Sequence, residues 1–187
     1  MNVFFISTGV VALAEMGDKT QLLALLLAVR FRKPWPIVAG IFAATLVNHA
    51  LAGAVGAWVV QAVGHSNLRW ALAASFFVMA AWMLVPDKLD GDQVPGAPRF
   101  GVFLTTAIAF FLAEMGDKTQ IATVMLAARY DAYALVVAGT TAGMMLANVP
   151  VVWLGERVTR LVPLQAVRVA SAVIFAGLGV LVLLNWD

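Results

Sequence analysis

The stretch Leu13-Ala14-Glu15-Met16-Gly17-Asp18-Lys19-Thr20-Gln21 occurs a second time, unchanged, as Leu112-Ala113-Glu114-Met115-Gly116-Asp117-Lys118-Thr119-Gln120. The offset is 99 residues, and it runs without a gap to the end of the chain. Arg30 meets Arg129, Val38-Ala39-Gly40 meets Val137-Ala138-Gly139, and Gly56 meets Gly155. Arg69 meets Arg168, and Phe76 meets Phe175. Elsewhere identity is scattered. The chain is a tandem duplication whose halves have drifted apart everywhere except at one peptide.

Both copies of that peptide lie inside long apolar runs. Of the 187 residues, 63% are hydrophobic and only 12% charged, with a mean hydropathy of +0.93. Soluble domains carry about 45–50% apolar and about 25% charged residues. A water-soluble globule is excluded, and the chain reads as an integral membrane protein. Each half holds three apolar segments, approximately residues 3–28, 35–63 and 68–85, then 100–128, 133–154 and 165–184. A spanning helix needs about 20 residues, so all six suffice, some with tilt. Breaks fall at residues 30–36, at 64–67 and in the Pro/Gly/Asp-rich stretch 86–98.

These segments predict an all-α integral membrane protein with six transmembrane helices arranged as two inverted three-helix repeats. Residues 1–88 form the first repeat, 89–99 a cytoplasmic linker and 100–187 the second, inverted repeat. An odd number of spans per repeat forces the second half to enter from the opposite side. That is the plan of many secondary transporters, whose site lies near mid-membrane at the repeat interface. Loops after the odd-numbered helices carry Arg30, Arg32, Lys33, Lys88, Arg99, Arg157, Arg160 and Arg168, against Arg69 and Arg129 opposite. The richer side is cytoplasmic by the positive-inside rule, which puts both termini outside the cytoplasm and the chain in the cell (inner) membrane.

Other classes fall away quickly. A net charge of +2 without a basic patch gives no nucleic-acid footprint. The absence of cysteine excludes disulfides, thiolate metal sites and cysteine nucleophiles. Residues 3–10 imitate a secretory signal, but no Lys or Arg precedes them, so they read as a retained helix. Trp35, Trp58, Trp70, Trp153 and Trp186 lie near span ends and read as interface anchors. Pro150 is placed to kink the fifth span.

The repeated peptide carries the chemistry. Glu15, Asp18, Glu114 and Asp117, with Lys19 and Lys118, lie at membrane depth, where one charged Asp or Lys costs about 2.5–3.5 kcal/mol on insertion scales. They must face one another, a cavity or a ligand. In a continuous helix Glu15 and Asp18 share a face at i,i+3, while Gly17 between them lets the backbone approach a partner or unwind. Brought together, the two peptides supply four carboxylates as metal ligands. Thr20, Gln21, Thr119, Gln120, Asn48, His49 and Asn148 stand as additional or supporting groups. Apart from His49 this is an oxygen set, suited to Ca²⁺, Mg²⁺ or Mn²⁺ and poor for Zn²⁺ or Cu⁺. Lys19 and Lys118 have donors only and serve as counter-ions. Four acids against two lysines leave two negative charges, which a dication neutralises. Without metal, crowded carboxylates repel one another and take up protons.

A doubled Glu-x-Gly-Asp-Lys/Arg-Ser/Thr motif, each copy in the first of three spans, resembles the Gdt-type family of manganese/calcium transporters. The match falls on Glu15, Gly17, Asp18, Lys19 and Thr20, and again on Glu114, Gly116, Asp117, Lys118 and Thr119. The resemblance implies a secondary transporter that exports divalent cations, Mn²⁺ before Ca²⁺, from the cytoplasm by proton antiport. It implies no permanently bound cofactor, only transported Mn²⁺ or Ca²⁺ at the central site. Its partners are then the lipid bilayer, the metal ion and protons, with no nucleic acid, in a monomer or homodimer. The alternatives are an exporter of a small organic cation or amino acid, and a passive cation channel. An enzyme is not expected. Intramembrane aspartyl proteases use Gly-x-Gly-Asp, whereas Glu15 stands where the first glycine belongs.

The topology has a direct test. Labelling of single cysteines from outside sealed cells should reach a C-terminal tag cysteine and miss Arg32→Cys. Labelling at position 32 would overturn the orientation.

Overall fold

A computed structural model describes residues 2–63, 65–86, 101–155 and 163–184, and every regular element among them is helical. The elements are α1 (Asn2–Glu15), α2 (Lys19–Phe31), α3 (Pro34–Val63) and α4 (His65–Met83) in the first half. The second half gives α5 (Gly101–Glu114), α6 (Lys118–Arg129), α7 (Tyr133–Leu154) and α8 (Leu164–Leu184). The linker 89–99, Trp186, and the loop charges Lys88, Arg99, Arg157 and Arg160 lie outside the described residues.

Three helices are long and apolar enough to cross a membrane: Pro34–Val63, Tyr133–Leu154 and Gln165–Leu184. Pro34 opens α3 at a position where the missing N–H costs nothing. The first apolar run of each half departs from a continuous helix. Each breaks in two, at Met16-Gly17-Asp18 and at Met115-Gly116-Asp117, leaving short apolar helices α1 and α5 ahead of the break. Gly17 and Gly116 take φ of +80° and +73°, a left-handed conformation open to glycine at little cost.

The helices interlock reciprocally. α1 packs on α7, α3 packs on α5, and α4 packs on α8. A Cβ on Gly139 would lie 2.6 Å from the Phe4 carbonyl and 2.9 Å from Ser7 Cβ. One on Gly40 would lie 2.8 Å from the Phe103 carbonyl and 2.8 Å from Thr106 Cβ. These are the same contacts shifted by 99 residues. Further along, Gly143 sits against Thr8, Val11 and Ala12, and Asn148 reaches Glu15, so α1 and α7 run in the same direction. α3 and α5 do likewise, since Gly40 meets residues 103–106 while Asn48 bonds the Phe111 carbonyl. α4 and α8 run oppositely: Arg69 bonds the Leu183 carbonyl, and Phe76 packs on its own equivalent, Phe175, with ring centroids 6.3 Å apart.

The outside of the bundle is apolar. Phe42, Leu46, Val47, Leu51 and Val55 of α3 are exposed, as are Val173, Val180 and Leu181 of α8. Trp35, Trp58, Trp70 and Trp153 are also exposed, and Trp35 meets Trp153 edge-on at 5.2 Å. In water this surface would be an aggregation liability; in lipid it is solvated. Buried against the neighbours instead are polar side chains, among them Glu15, Glu114, His49 and Asn148, each 0% exposed.

The close approaches separate two kinds of glycine. A Cβ at Gly143 would stand 2.5 Å from the Thr8 carbonyl and 2.9 Å from the Ala12 nitrogen, whereas Gly177 has nothing within 4 Å. Gly143→Ala should therefore cost about 1–3 kcal/mol through overpacking, read as a lower unfolding temperature in detergent. Gly177→Ala should be neutral or slightly stabilising. Equal effects at both positions would contradict the α1–α7 packing.

Candidate functional site

Both breaks are built identically, and the sequence shows how. Helix α1 ends on Glu15, and Asp18 stands at the N-cap of α2 with φ −85° and ψ 169°. Helix α5 ends on Glu114, and Asp117 N-caps α6 with φ −81° and ψ 166°. The Asp18 and Asp117 amides each donate to the Glu15 and Glu114 carbonyls at 3.1 Å. The glycine N–H groups orphaned by the break go to glutamine. Gly17 donates to Gln21 Oε1 at 3.0 Å, and Gly116 donates to Gln120 Oε1 at 2.7 Å. An aspartate at an N-cap normally accepts a bond from the helix it opens. Neither Asp18 nor Asp117 makes that side-chain cap bond, which leaves the carboxylates for the interior.

The breaks bring acids from both halves together. Glu15, Glu114 and Asp117 each offer an oxygen within 4.8 Å of the others, and all three are buried. Asp18, expected as the fourth ligand, is buried at 3% exposure but falls outside that group. The i,i+3 face expected for Glu15 and Asp18 does not form, because the helix ends between them. Thr119 donates to Glu114 Oε2 at 2.9 Å and leans toward Asp117 Oδ2 at 3.4 Å. Asn148 donates to Glu15 Oε1 at 3.4 Å and to the Met144 carbonyl at 3.1 Å. Glu15 Oε2 and Glu114 Oε1 are buried without a hydrogen bond.

The remaining expected residues divide. The carbonyl oxygens of Gln21 and Gln120 are held by the break glycines, and Gln21 also donates to the Ala147 carbonyl at 3.0 Å, tying α2 to α7. These glutamines position the backbone on either side of the breaks. Asn48 donates to the Phe111 carbonyl at 3.1 Å and fixes α3 on α5. Thr20 is fully buried, as is His49, whose two ring nitrogens make no hydrogen bond.

Lys19 crosses between halves to Asp117 at 3.2 Å. Lys118 is buried beside the second break and donates to the Val85 carbonyl at 2.9 Å. One cation escaped the sequence reading. Arg168, counted with the cytoplasmic loop, lies within α8 and lines one small cavity with Gly17, Asp18, Lys118 and Val85. The surplus of two negative charges counted from the motif alone thus falls to one. The available signal was its depth, several residues into the last apolar run.

Such a cluster of oxygens with resident cations suits a divalent ion that binds and leaves. A family profile described as divalent cation/proton antiporter GDT1 matches residues 3–91 and 102–186, one match per half. The chain belongs to the GDT1 family. Among relatives, a Vibrio cholerae protein described as "Putative manganese exporter" is 53% identical over 176 residues, covering 94% of this chain and 87% of its own. A rice GDT1-like protein 4 is 29% identical over 164 residues, 74% of this chain and 58% of that one. A Synechocystis GDT1-like protein is 26% identical over 160 residues, 74% of this chain and 73% of that one. No solved structure matches. GDT1 membership makes this a multi-pass membrane protein that transports divalent cations, a transporter rather than an enzyme.

The Lys19–Asp117 pair predicts a link between metal and stability. Lys19→Gln leaves Asp117, 3% exposed, without its ammonium, and should cost up to about 3 kcal/mol in the metal-free protein. Mn²⁺ should restore much of the loss by binding the folded state. Thermal unfolding in detergent with and without Mn²⁺ reads both effects. An unchanged metal-free midpoint would refute the counter-ion role.

Proposed function

We propose that this GDT1-family chain exports Mn²⁺ from the cytoplasm in exchange for protons. Its six membrane spans form two inverted repeats with both termini outside the cytoplasm. Residues 1–88 and 100–187 are the repeats, residues 89–99 their cytoplasmic linker, and the inner membrane their location. The observation that carries the reading is the convergence of Glu15, Glu114 and Asp117 from two distant copies of one peptide. The reciprocal packing of α1 on α7 and α3 on α5, with Phe76 against its equivalent Phe175, supports the inverted arrangement.

The chemistry follows from the donor set. A divalent cation takes the place of protons on the acids, with Asp18 joining Glu15, Glu114 and Asp117 as the helix break adjusts. Thr119 and Asn148 hold the carboxylates in place when the ion is absent. Thr20 is the counterpart of Thr119 and stands ready to do the same. Lys19, Lys118 and Arg168 weaken the hold on the ion enough for release. Mn²⁺ is favoured over Ca²⁺ by the likeness to the Vibrio cholerae protein described as a manganese exporter.

Glu15→Gln and Glu114→Gln each remove one negative charge from the group while nearly keeping its shape. Each should lower Mn²⁺ affinity by about 2 kcal/mol or more, roughly thirtyfold, and abolish Mn²⁺ export while the protein still inserts. The assay is Mn²⁺ uptake into inverted vesicles, with Ca²⁺, Mg²⁺ and Zn²⁺ alongside, with and without a pH gradient. Near-normal export by both variants would overturn the site. Flux indifferent to the gradient would overturn antiport in favour of a channel.

A further inference from the structure

The 99-residue offset gives every helix an equivalent: α1 with α5, α2 with α6, α3 with α7 and α4 with α8. Most packing respects it. α1 on α7 is matched by α5 on α3, and α1 on α6 by α5 on α2. The α4–α8 pair is its own equivalent, with Phe76 on Phe175 near its centre. In a symmetric molecule that pair would lean equally on both halves of the broken spans.

It does not. α8 packs on α1 and α4 packs on α6, while the equivalent contacts, α4 on α5 and α8 on α2, have no comparable packing among the described residues. One apolar core accordingly joins Val10 of α1 and Met125 of α6 to Leu72, Phe76 and Phe175 of the pair. The other core joins α2, α3 and α5 through Leu23, Ile41 and Phe110, and none of its described members comes from α4 or α8. Exposure follows the same bias. Met125 and Ala128 of α6 are 3% and 8% exposed, but their equivalents Leu26 and Val29 of α2 are 40% and 63%. Leu13 of α1 is partly buried, whereas Leu112, its equivalent on α5, is 60% exposed. The lysines are split as well. Lys118 ties α6 to the end of α4 at the Val85 carbonyl, while its equivalent Lys19 stands on Asp117 across the halves.

We propose that the α4–α8 pair is the moving part of the transporter, and that the exposed faces of α2 and α5 are its second docking position. Leu26 and Val29 of α2 receive α8 there, and Leu112 of α5 receives α4. Lipid tails are as apolar as leucine, so uncovering either set of faces costs little and neither position is strongly preferred. On the orientation proposed above, α1 and α6 are the outer halves of the broken spans, and α2 and α5 the cytoplasmic halves. The pair screens the breaks from outside in this structure and from the cytoplasm in its second position, which gives a cation access from each side in turn. As it moves, Lys118 leaves the Val85 carbonyl, and Lys19 takes up the equivalent carbonyl of Leu184. The inference rests on the transport reading above.

The chain has no cysteine, so introduced pairs report the two positions directly. Leu13 and Ser171 line one small cavity, and their equivalents are Leu112 and Leu72. In full-length protein in vesicles, a short cleavable thiol cross-linker should join Leu13→Cys to Ser171→Cys in the present position. It should join Leu112→Cys to Leu72→Cys only in the second. Both links should form during Mn²⁺ transport, and either should cut Mn²⁺ flux by roughly tenfold or more, with recovery on cleavage. Leu26→Trp, which crowds the second position, should slow flux roughly fivefold or more with Mn²⁺ affinity unchanged within about twofold. Leu51→Trp, on the exposed face of α3, should leave flux unchanged. Should a cysteine pair prevent folding, the two tryptophan variants decide alone. No link between positions 72 and 112 in transporting protein, or equal flux in the two tryptophan variants, would overturn the second position. Cross-links that form as expected in protein that moves no Mn²⁺, with or without the cysteines, would instead overturn the transport reading.

Discussion

Three carboxylates from two distant stretches are confined to one small buried volume, and the architecture around them answers that constraint. Ionised acids in an apolar interior repel one another and lose the solvation of water. The protein meets the cost with Lys19 on Asp117, Thr119 on Glu114 and Asn148 on Glu15. It leaves one oxygen each on Glu15 and Glu114 without a hydrogen bond. A fully satisfied network would be a structural salt-bridge cluster. Unsatisfied oxygens on two of three clustered acids are what the proposed cation site would need.

The helix break is how the backbone serves that site. A continuous helix would consume every amide around Glu15 and Glu114 and hold the next acid a fixed turn away. Breaking it at Gly17 and Gly116 costs backbone hydrogen bonds, which Gln21 and Gln120 repair with their side-chain carbonyls. The result is a pair of carboxylates per repeat flanking the break, with the aspartate free of the usual side-chain cap bond. Irregular backbone at this depth is tolerated only inside protein or along a cavity, and both breaks lie among packed helices.

Close packing transmits the arrangement. Gly40, Gly139 and Gly143 let α3 and α7 reach the backbones of α5 and α1. Without a water-driven hydrophobic force between helices in lipid, such contact is the main source of cohesion.

Much of this was legible in the sequence. Apolar runs placed the helices, the 99-residue offset revealed the duplication, and the cost of burying charge singled out Glu15, Asp18, Glu114 and Asp117. Those are local properties, since span length, repeat and charge need no knowledge of neighbours. Tertiary structure alone decided the rest. Gly17 was compatible with either a continuous or a broken helix, and the fold shows it broken, with Gly17 at φ +80° and its amide on Gln21. Arg168 reads as a loop charge until α8 carries it beside Asp18. Gln21 and Gln120 stand in the sequence as additional or supporting groups, and only the fold shows their carbonyls on the glycine amides. The pairing of α1 with α7 and of α3 with α5 was also invisible, because helices apolar on every side carry no stripe to name their partners. What selects the partner is where a missing Cβ meets a neighbouring backbone, and that match exists only once both helices are in place.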